Sequence, residues 1–234
     1  MSSKRILLTI GILLTASVVG NVCLAVALME SCKSKEICFD NYSNSVFALS
    51  IEKEQNYNFA TCFCYSSDGL FVTNYHPIKA VDENIDNMQI IIVDSSSNTH
   101  NATLIGVDIQ QDIAIISCKD LFASPVRTCD KSPKLGEKCY SFGNANGLGV
   151  TLYDGIISNP NIRLVVDGLE QSYIQAKNDV YPGCSGGCLL NNKGYFIGMV
   201  SFRTKDKDGN PVKDFSYSIP TNTISTVVKN ITKQ

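Results

Sequence analysis

From residue 46 onward the chain is a succession of short apolar runs, rich in β-branched and aromatic residues and separated by turn residues, and this pattern limits it to an all-β fold. The first half carries runs at 46–51, 59–65, 70–73, 88–93, 102–107 and 113–117. Ser66-Ser67-Asp68-Gly69 supplies a tight reversal between the second and third, and Asp94-Ser95-Ser96-Ser97-Asn98 a polar turn between the fourth and fifth. A stretch at 124–133 with two prolines and several charges reads as a link between halves. The second half repeats the style at 138–142, 150–158, 163–166, 173–176, 188–191, 195–202 and 215–219. Only 221–233 changes period. There Ile224, Val227, Val228 and Ile231 share one face of a short helix that Thr221 or Asn222 is placed to cap. Many short strands with one terminal helix predict barrels or a sandwich, and no internal repeat stands out.

The N-terminal residues read differently. Lys4 and Arg5, in a basic tail at 1–5, precede an uncharged stretch at 6–29, which Glu30 ends. As a helix this stretch reaches about 36 Å, enough to cross a bilayer core of about 30 Å. It reads as a transmembrane anchor, or as a signal sequence cleaved after residue 27, since Ala25-Val26-Ala27 offers a small-x-small site. Either reading puts the bulk of the chain on the extracytoplasmic side, anchored to the membrane in the first case and secreted in the second. Residues 30–43 form a linker.

Composition excludes more than it indicates. A formal charge of −2 with scattered basic residues gives no nucleic-acid footprint. Of 10 cysteines, Cys23 lies in the apolar stretch; Cys32, Cys38, Cys62, Cys64, Cys118, Cys129, Cys139, Cys184 and Cys188 follow it. In an oxidising compartment that odd number leaves at least one unpaired. Their spacing lacks a zinc-site layout and there are 2 histidines, so no metal and no cofactor is expected.

Pro182-Gly183-Cys184-Ser185-Gly186-Gly187 is the most specific chemical signal. A serine among glycines fits a tight turn whose Gly183 and Ser185 amides form an oxyanion hole, although an ordinary Gly-rich turn would read the same. A serine hydroxyl needs a base, and imidazole serves near neutral pH. His100 stands in the polar Asn98-Thr99-His100-Asn101 segment, which reads as a solvated turn, whereas His76 follows the apolar strand at 70–73. A third group must orient the base. Asp112 precedes the apolar Ile113-Ala114-Ile115-Ile116, which would draw its carboxylate inward; Asp108 sits at a polar strand end.

These segments together resemble the HtrA/Deg-type branch of the trypsin-like, chymotrypsin-fold serine proteases. The segment Asp68-Gly69-Leu70-Phe71-Val72-Thr73-Asn74-Tyr75-His76 resembles the family's histidine segment, and 108–116 its aspartate segment. Residues 136–158, with Phe142-Gly143-Asn144 and Gly147-Leu148-Gly149, resemble the region before the nucleophile. Residues 173–201 resemble the serine segment, and Ser218-Ile219-Pro220-Thr221-Asn222 the entry to the last helix. The resemblance spans about 44–230 in the order His, Asp, Ser.

It implies two six-stranded antiparallel barrels, at about 44–123 and 134–220, with the site between them. The implied function is a serine endopeptidase that cleaves proteins or peptides through His76, Asp112 and Ser185. An inactive protease-fold binding or scaffold protein at a membrane remains the alternative. The resemblance also implies a substrate pocket walled by Asp179 and Val180 on one side and by Val200, Ser201 and Phe202 on the other. Val180 would favour small aliphatic residues, or a buried Asp179 basic ones. Strands carrying Cys139 and Cys188 would be neighbours, so a disulfide between these cysteines is conceivable. Nothing resembling a PDZ domain follows the protease segment. Cys184 and Cys188 depart from the family pattern, and Cys184 lies one residue early for a nucleophile.

Overall fold

The structure is a computed structural model that describes residues 21–22, 39–82, 87–129, 131–166, 168–204 and 215–233. Except for Asn21 and Val22, which are helical, the apolar stretch at 6–29 lies outside the described residues, as do most of the linker and Cys23, Cys32 and Cys38. Among the described residues no helix is long and apolar enough to cross a membrane.

Six strands make the first barrel: β1 (Val46–Lys53), β2 (Asn56–Ser66), β3 (Leu70–Thr73), β4 (Gln89–Val93), β5 (Thr99–Asp108) and β6 (Ile113–Ser117). Six make the second: β7 (Lys138–Gly143), β8 (Thr151–Val166), β9 (Leu169–Asn178), β10 (Cys188–Asn191), β11 (Phe196–Phe202) and β12 (Phe215–Pro220). Both close in the same order, β1-β2-β3-β6-β5-β4 and β7-β8-β9-β12-β11-β10, through antiparallel pairs. The two barrels therefore share one topology without a repeat in sequence. Closure leaves no unpaired sheet edge.

Why fully apolar runs alternate correctly is clearest at β6. Ala114 and Ile116 face the interior of the first barrel with Phe47, Leu49, Ile51, Phe71 and Ile92. Ile113 and Ile115, on the other face, join Val46, Phe63 and Val72 against Phe142, Phe196, Met199 and Tyr217 of the second barrel. A strand buried on both faces needs no polar alternation. Burial of each such isoleucine contributes about 1.5–3 kcal/mol. A third cluster, with Ile157, Ile174, Val180, Cys184, Leu189, Ile197 and Val200, fills the second barrel. The helix α2 (Thr221–Thr232) buries Ile224, Val227 and Val228 in the inter-barrel cluster. Pro220 stands at its cap, with no side-chain cap bond, so neither Thr221 nor Asn222 caps it as expected.

Three other expectations change. The runs at 150–158 and 163–166 form one strand, β8, because β9 pairs along its whole length and the register merely slips around Asn159 and Pro160. His100 lies in β5 rather than in a turn, and its Nε2 sits 3.3 Å from Asp94 Oδ2. The disulfide expectation fails. β7 and β10 are neighbours, but Cys139 pairs with Asn191 and Cys188 with Phe142, and both cysteines are free. An offset of three residues puts the two thiols on opposite faces of the sheet: Cys139 belongs to the cluster inside the second barrel and Cys188 to the inter-barrel one. All the described cysteines are free.

Candidate active site

β3 ends at Thr73, and the chain turns through Asn74 and Tyr75 into a single helical turn, α1 (His76–Lys79). Pro77 suits that first turn because its missing N–H would find no partner there anyway. The turn at 108–112 is fixed by Asp108, whose Oδ1 accepts the Gln111 amide at 2.9 Å. Asp112 follows with a φ of +54°, in the left-handed region that aspartate enters more readily than most residues, and the backbone immediately enters buried β6. Its carbonyl accepts the Tyr75 amide at 3.2 Å and Asn74 Nδ2 at 2.9 Å. The strand end that carries His76 is thereby fastened to the strand start that carries Asp112.

The side chains of His76, Asp112 and Ser185 come together across the barrels. His76 Nδ1 lies 2.8 Å from Asp112 Oδ2, and His76 Nε2 lies 3.0 Å from Ser185 Oγ. A carboxylate only accepts, so Nδ1 carries the imidazole proton and Nε2 presents its lone pair to the serine hydroxyl. Asp112 Oδ1 also takes the His76 amide at 2.8 Å, while Oδ2 takes Asn74 Nδ2 at 2.9 Å and Ser201 Oγ at 3.0 Å. This carboxylate thus accepts from four donors, which hold it toward the imidazole. Ser185 Oγ has a second acceptor in Ser201 O, at 3.0 Å.

The turn that presents Ser185 requires its glycines. Gly183 has φ +94° and Gly186 +86°, and a Cβ on either would collide with backbone, the Asn144 carbonyl in one case and the Thr61 carbonyl in the other. The amides of Cys184, Gly186 and Gly187 donate to Tyr181, Val200 and Cys184 carbonyls at 3.0, 2.8 and 2.9 Å. Among the described residues no acceptor takes the amides of Gly183 and Ser185. Thr61 stitches this turn to the first barrel: its Oγ1 donates to Gly183 O at 2.7 Å and accepts from Asn144 N at 2.8 Å, and its amide donates to Ser185 O at 2.9 Å. Nothing in the sequence singled out Thr61. Asn74 lay within the quoted histidine segment without a role, and its position two residues before His76 was the available signal.

The family is decided by the match of the Trypsin-like peptidase domain profile to residues 60–199. The chain belongs to the trypsin-like peptidases. This trypsin-like peptidase is 30% identical over 172 residues to the serine protease Do-like HtrA of Lactobacillus helveticus, covering 71% of the chain and 40% of that relative. It is 27% identical over 195 residues to the serine endoprotease DegS of Haemophilus influenzae, covering 81% and 56%. The chain therefore spans about half the length of these relatives. A solved structure of the HtrA-type protease AlgW with a tripeptide superimposes with a TM-score of 0.69 at 27% identity, covering 82% of this chain and 62% of that one. A serine endoprotease from Yersinia pestis shares the fold at a TM-score of 0.69 and 19% identity, covering 86% and 69%. These likenesses put the peptidase in the HtrA-type branch.

The pocket residues separate. Ser201 is buried beside Asp112 and Ser185. Val180 is 3% exposed and packs with Cys184 and Val200 in the core of the second barrel. Phe202 turns away into the inter-barrel cluster, stacked on Tyr217 at 5.2 Å and edge-on to Tyr173 at 5.0 Å. Asp179 is exposed, lining a shallow depression with Asp154 and Lys177. It is therefore not a buried carboxylate. Cys184 is buried against Gly143, and burial pushes its thiol above the usual 9.0, which keeps it protonated and un-nucleophilic. Among the described residues no group of His, Cys, Asp and Glu is arranged to hold a metal ion.

Proposed function

We propose that this protein is a serine endopeptidase in which Ser185 is the nucleophile, His76 the general base and Asp112 the group that orients the base. The observation that carries this reading is the continuous line from Asp112 Oδ2 through both imidazole nitrogens to Ser185 Oγ, at 2.8 and 3.0 Å. Ser185 Oγ attacks the carbonyl carbon of the scissile peptide while its proton passes to His76 Nε2. The carbonyl oxygen becomes an oxyanion, which the Gly183 and Ser185 amides receive. The tetrahedral intermediate then collapses. The imidazolium gives its proton to the departing amine, and an ester between Ser185 and the acyl half remains. Water, deprotonated by the same imidazole, attacks that ester, and protonation of Ser185 Oγ restores the enzyme.

Asp112 holds Nδ1 protonated and stabilises the imidazolium that forms. Asn74 and Ser201 keep the carboxylate in register with the ring. Substrates are proteins or peptides, since the curated relatives are serine proteases and endoproteases. An extracytoplasmic setting is supported by the uncharged stretch at 6–29 and by relatives named as periplasmic serine proteases. The test is covalent labelling by a fluorophosphonate together with hydrolysis of a mixed peptide library. Wild type is expected to be labelled on Ser185 and to cleave, and Ser185→Ala to do neither. Cleavage surviving in Ser185→Ala would reject the assignment.

A further inference from the structure

Between the two segments that flank Ser185 stands a cation that the catalytic reading does not use. Arg203 lies two residues beyond Ser201, whose carbonyl and hydroxyl face Ser185 and Asp112. Its guanidinium carbon sits 5.1 Å from the ring centroid of Tyr181, four residues before Ser185. The side chain thus reaches from the one segment to the other. Among the described residues its Nη2 is buried without a hydrogen-bond partner, and no carboxylate pairs with it. A guanidinium is always charged and all its nitrogens donate, so one buried nitrogen left without an acceptor is a standing cost that a suitably placed anion would relieve.

The other side chains expected to shape this pocket are committed elsewhere. Val180 and Phe202 are packed in the two cores, and Asp179 faces solvent. The group left between the walls is cationic, backed by an aromatic face. We infer, resting on the peptidase reading above, that Arg203 makes this site prefer aspartate or glutamate as the residue that donates the scissile carbonyl. A carboxylate there would accept two parallel N–H bonds from the guanidinium. A lysine or arginine would meet a like charge, and an aliphatic side chain would leave Nη2 unsatisfied while excluding water from it. On this inference an acidic preference takes the place of a small aliphatic one, since Val180 is 3% exposed and packed among core residues.

The experiment uses the full-length chain and peptides that differ only at the residue before the cut: Glu, Gln, Asp, Val and Lys. Glu against Gln isolates the charge at nearly constant shape. Wild type is expected to favour Glu over Gln by about 100-fold in kcat/KM. Arg203→Ala should lose that ratio while still being labelled by a fluorophosphonate, and Arg203→Lys, which keeps charge but not the planar fork, should fall between them. Equal cleavage of Glu and Gln by labelled wild type overturns the inference and leaves the peptidase standing. So does a Glu preference that persists in Arg203→Ala. If wild type is neither labelled nor active on any peptide, the peptidase reading fails and this inference fails with it.

Discussion

Thr61 Oγ1, on the first barrel, donates to the carbonyl of Gly183, on the second, at 2.7 Å. The same oxygen accepts the Asn144 amide, and Thr73 Oγ1 in turn donates to Thr61 O at 2.7 Å. One hydroxyl therefore couples the strand next to β3, which leads to His76, with the turn that presents Ser185. This joint fixes the strand beside β3 against the turn that presents Ser185.

Thr61→Val keeps the β-branched shape and removes both side-chain bonds. It leaves the buried Asn144 amide without its acceptor, a cost of about 1–3 kcal/mol. The expected outcome is a fall of about 10–100-fold in kcat with little change in KM, and a modest loss of thermal stability. Wild-type turnover in a folded Thr61→Val protein would show that the joint does not align the site.

Asp112→Asn should preserve packing but present an N–H where a carboxylate oxygen now accepts from His76. The imidazole then favours the tautomer with Nε2 protonated, which cannot take the Ser185 proton. Turnover should drop by about 10⁴-fold near neutral pH. The measurement is single-turnover acylation of Ser185, and acylation within tenfold of wild type would remove Asp112 from its proposed role.

Alkaline pH should destabilise the fold. Burial raises Cys139 to about 12 and Cys64 to about 11 from the usual 9.0, and pushes Cys62 and Cys188 well above it. The folded thiols keep their protons where those of the unfolded chain ionise, so the unfolded state binds fewer protons as pH rises past 9. Their contribution is complete below that value and is lost progressively toward about 12. Denaturant midpoints measured under reducing conditions at about pH 7.5 and about pH 10.5 should fall at the higher pH. Unchanged midpoints would mean that these thiols are not sequestered.

The uncharged stretch at 6–29 predicts that the full-length product stays with membranes through a carbonate wash, while a chain starting at Ser31 is soluble. The N-terminus of the mature protein, read by mass spectrometry, decides between anchor and signal. A mature protein beginning at Leu28 would mean a secreted enzyme.

The apolar runs and the turns between them were legible because strand periodicity is local: it is written in residues two apart, and β3, β6 and β10 fall where the pattern puts them. The helix cap differs from expectation: Thr221 and Asn222 are good capping residues, yet Pro220, with its φ fixed by its ring, already stands at the extended position from which the helix begins. His76, Asp112 and Ser185 stand out as candidates because histidine is scarce here and the other two carry a distinctive neighbourhood, glycines around the serine and an apolar strand beside the aspartate.

What the sequence by itself determined is an all-β chain with candidate nucleophile, base and orienter in order. Tertiary structure alone decided what joins what. The closure of β1 on β4, the offset that separates Cys139 from Cys188, and the bond from Thr61 to Gly183, 122 positions away, leave no local trace. The same holds for Arg203, whose place over the Tyr181 ring no local pattern gives. Local pattern fixes which face of a strand is buried. Register and the meeting of distant segments follow from packing the whole core, in which every strand constrains the rest.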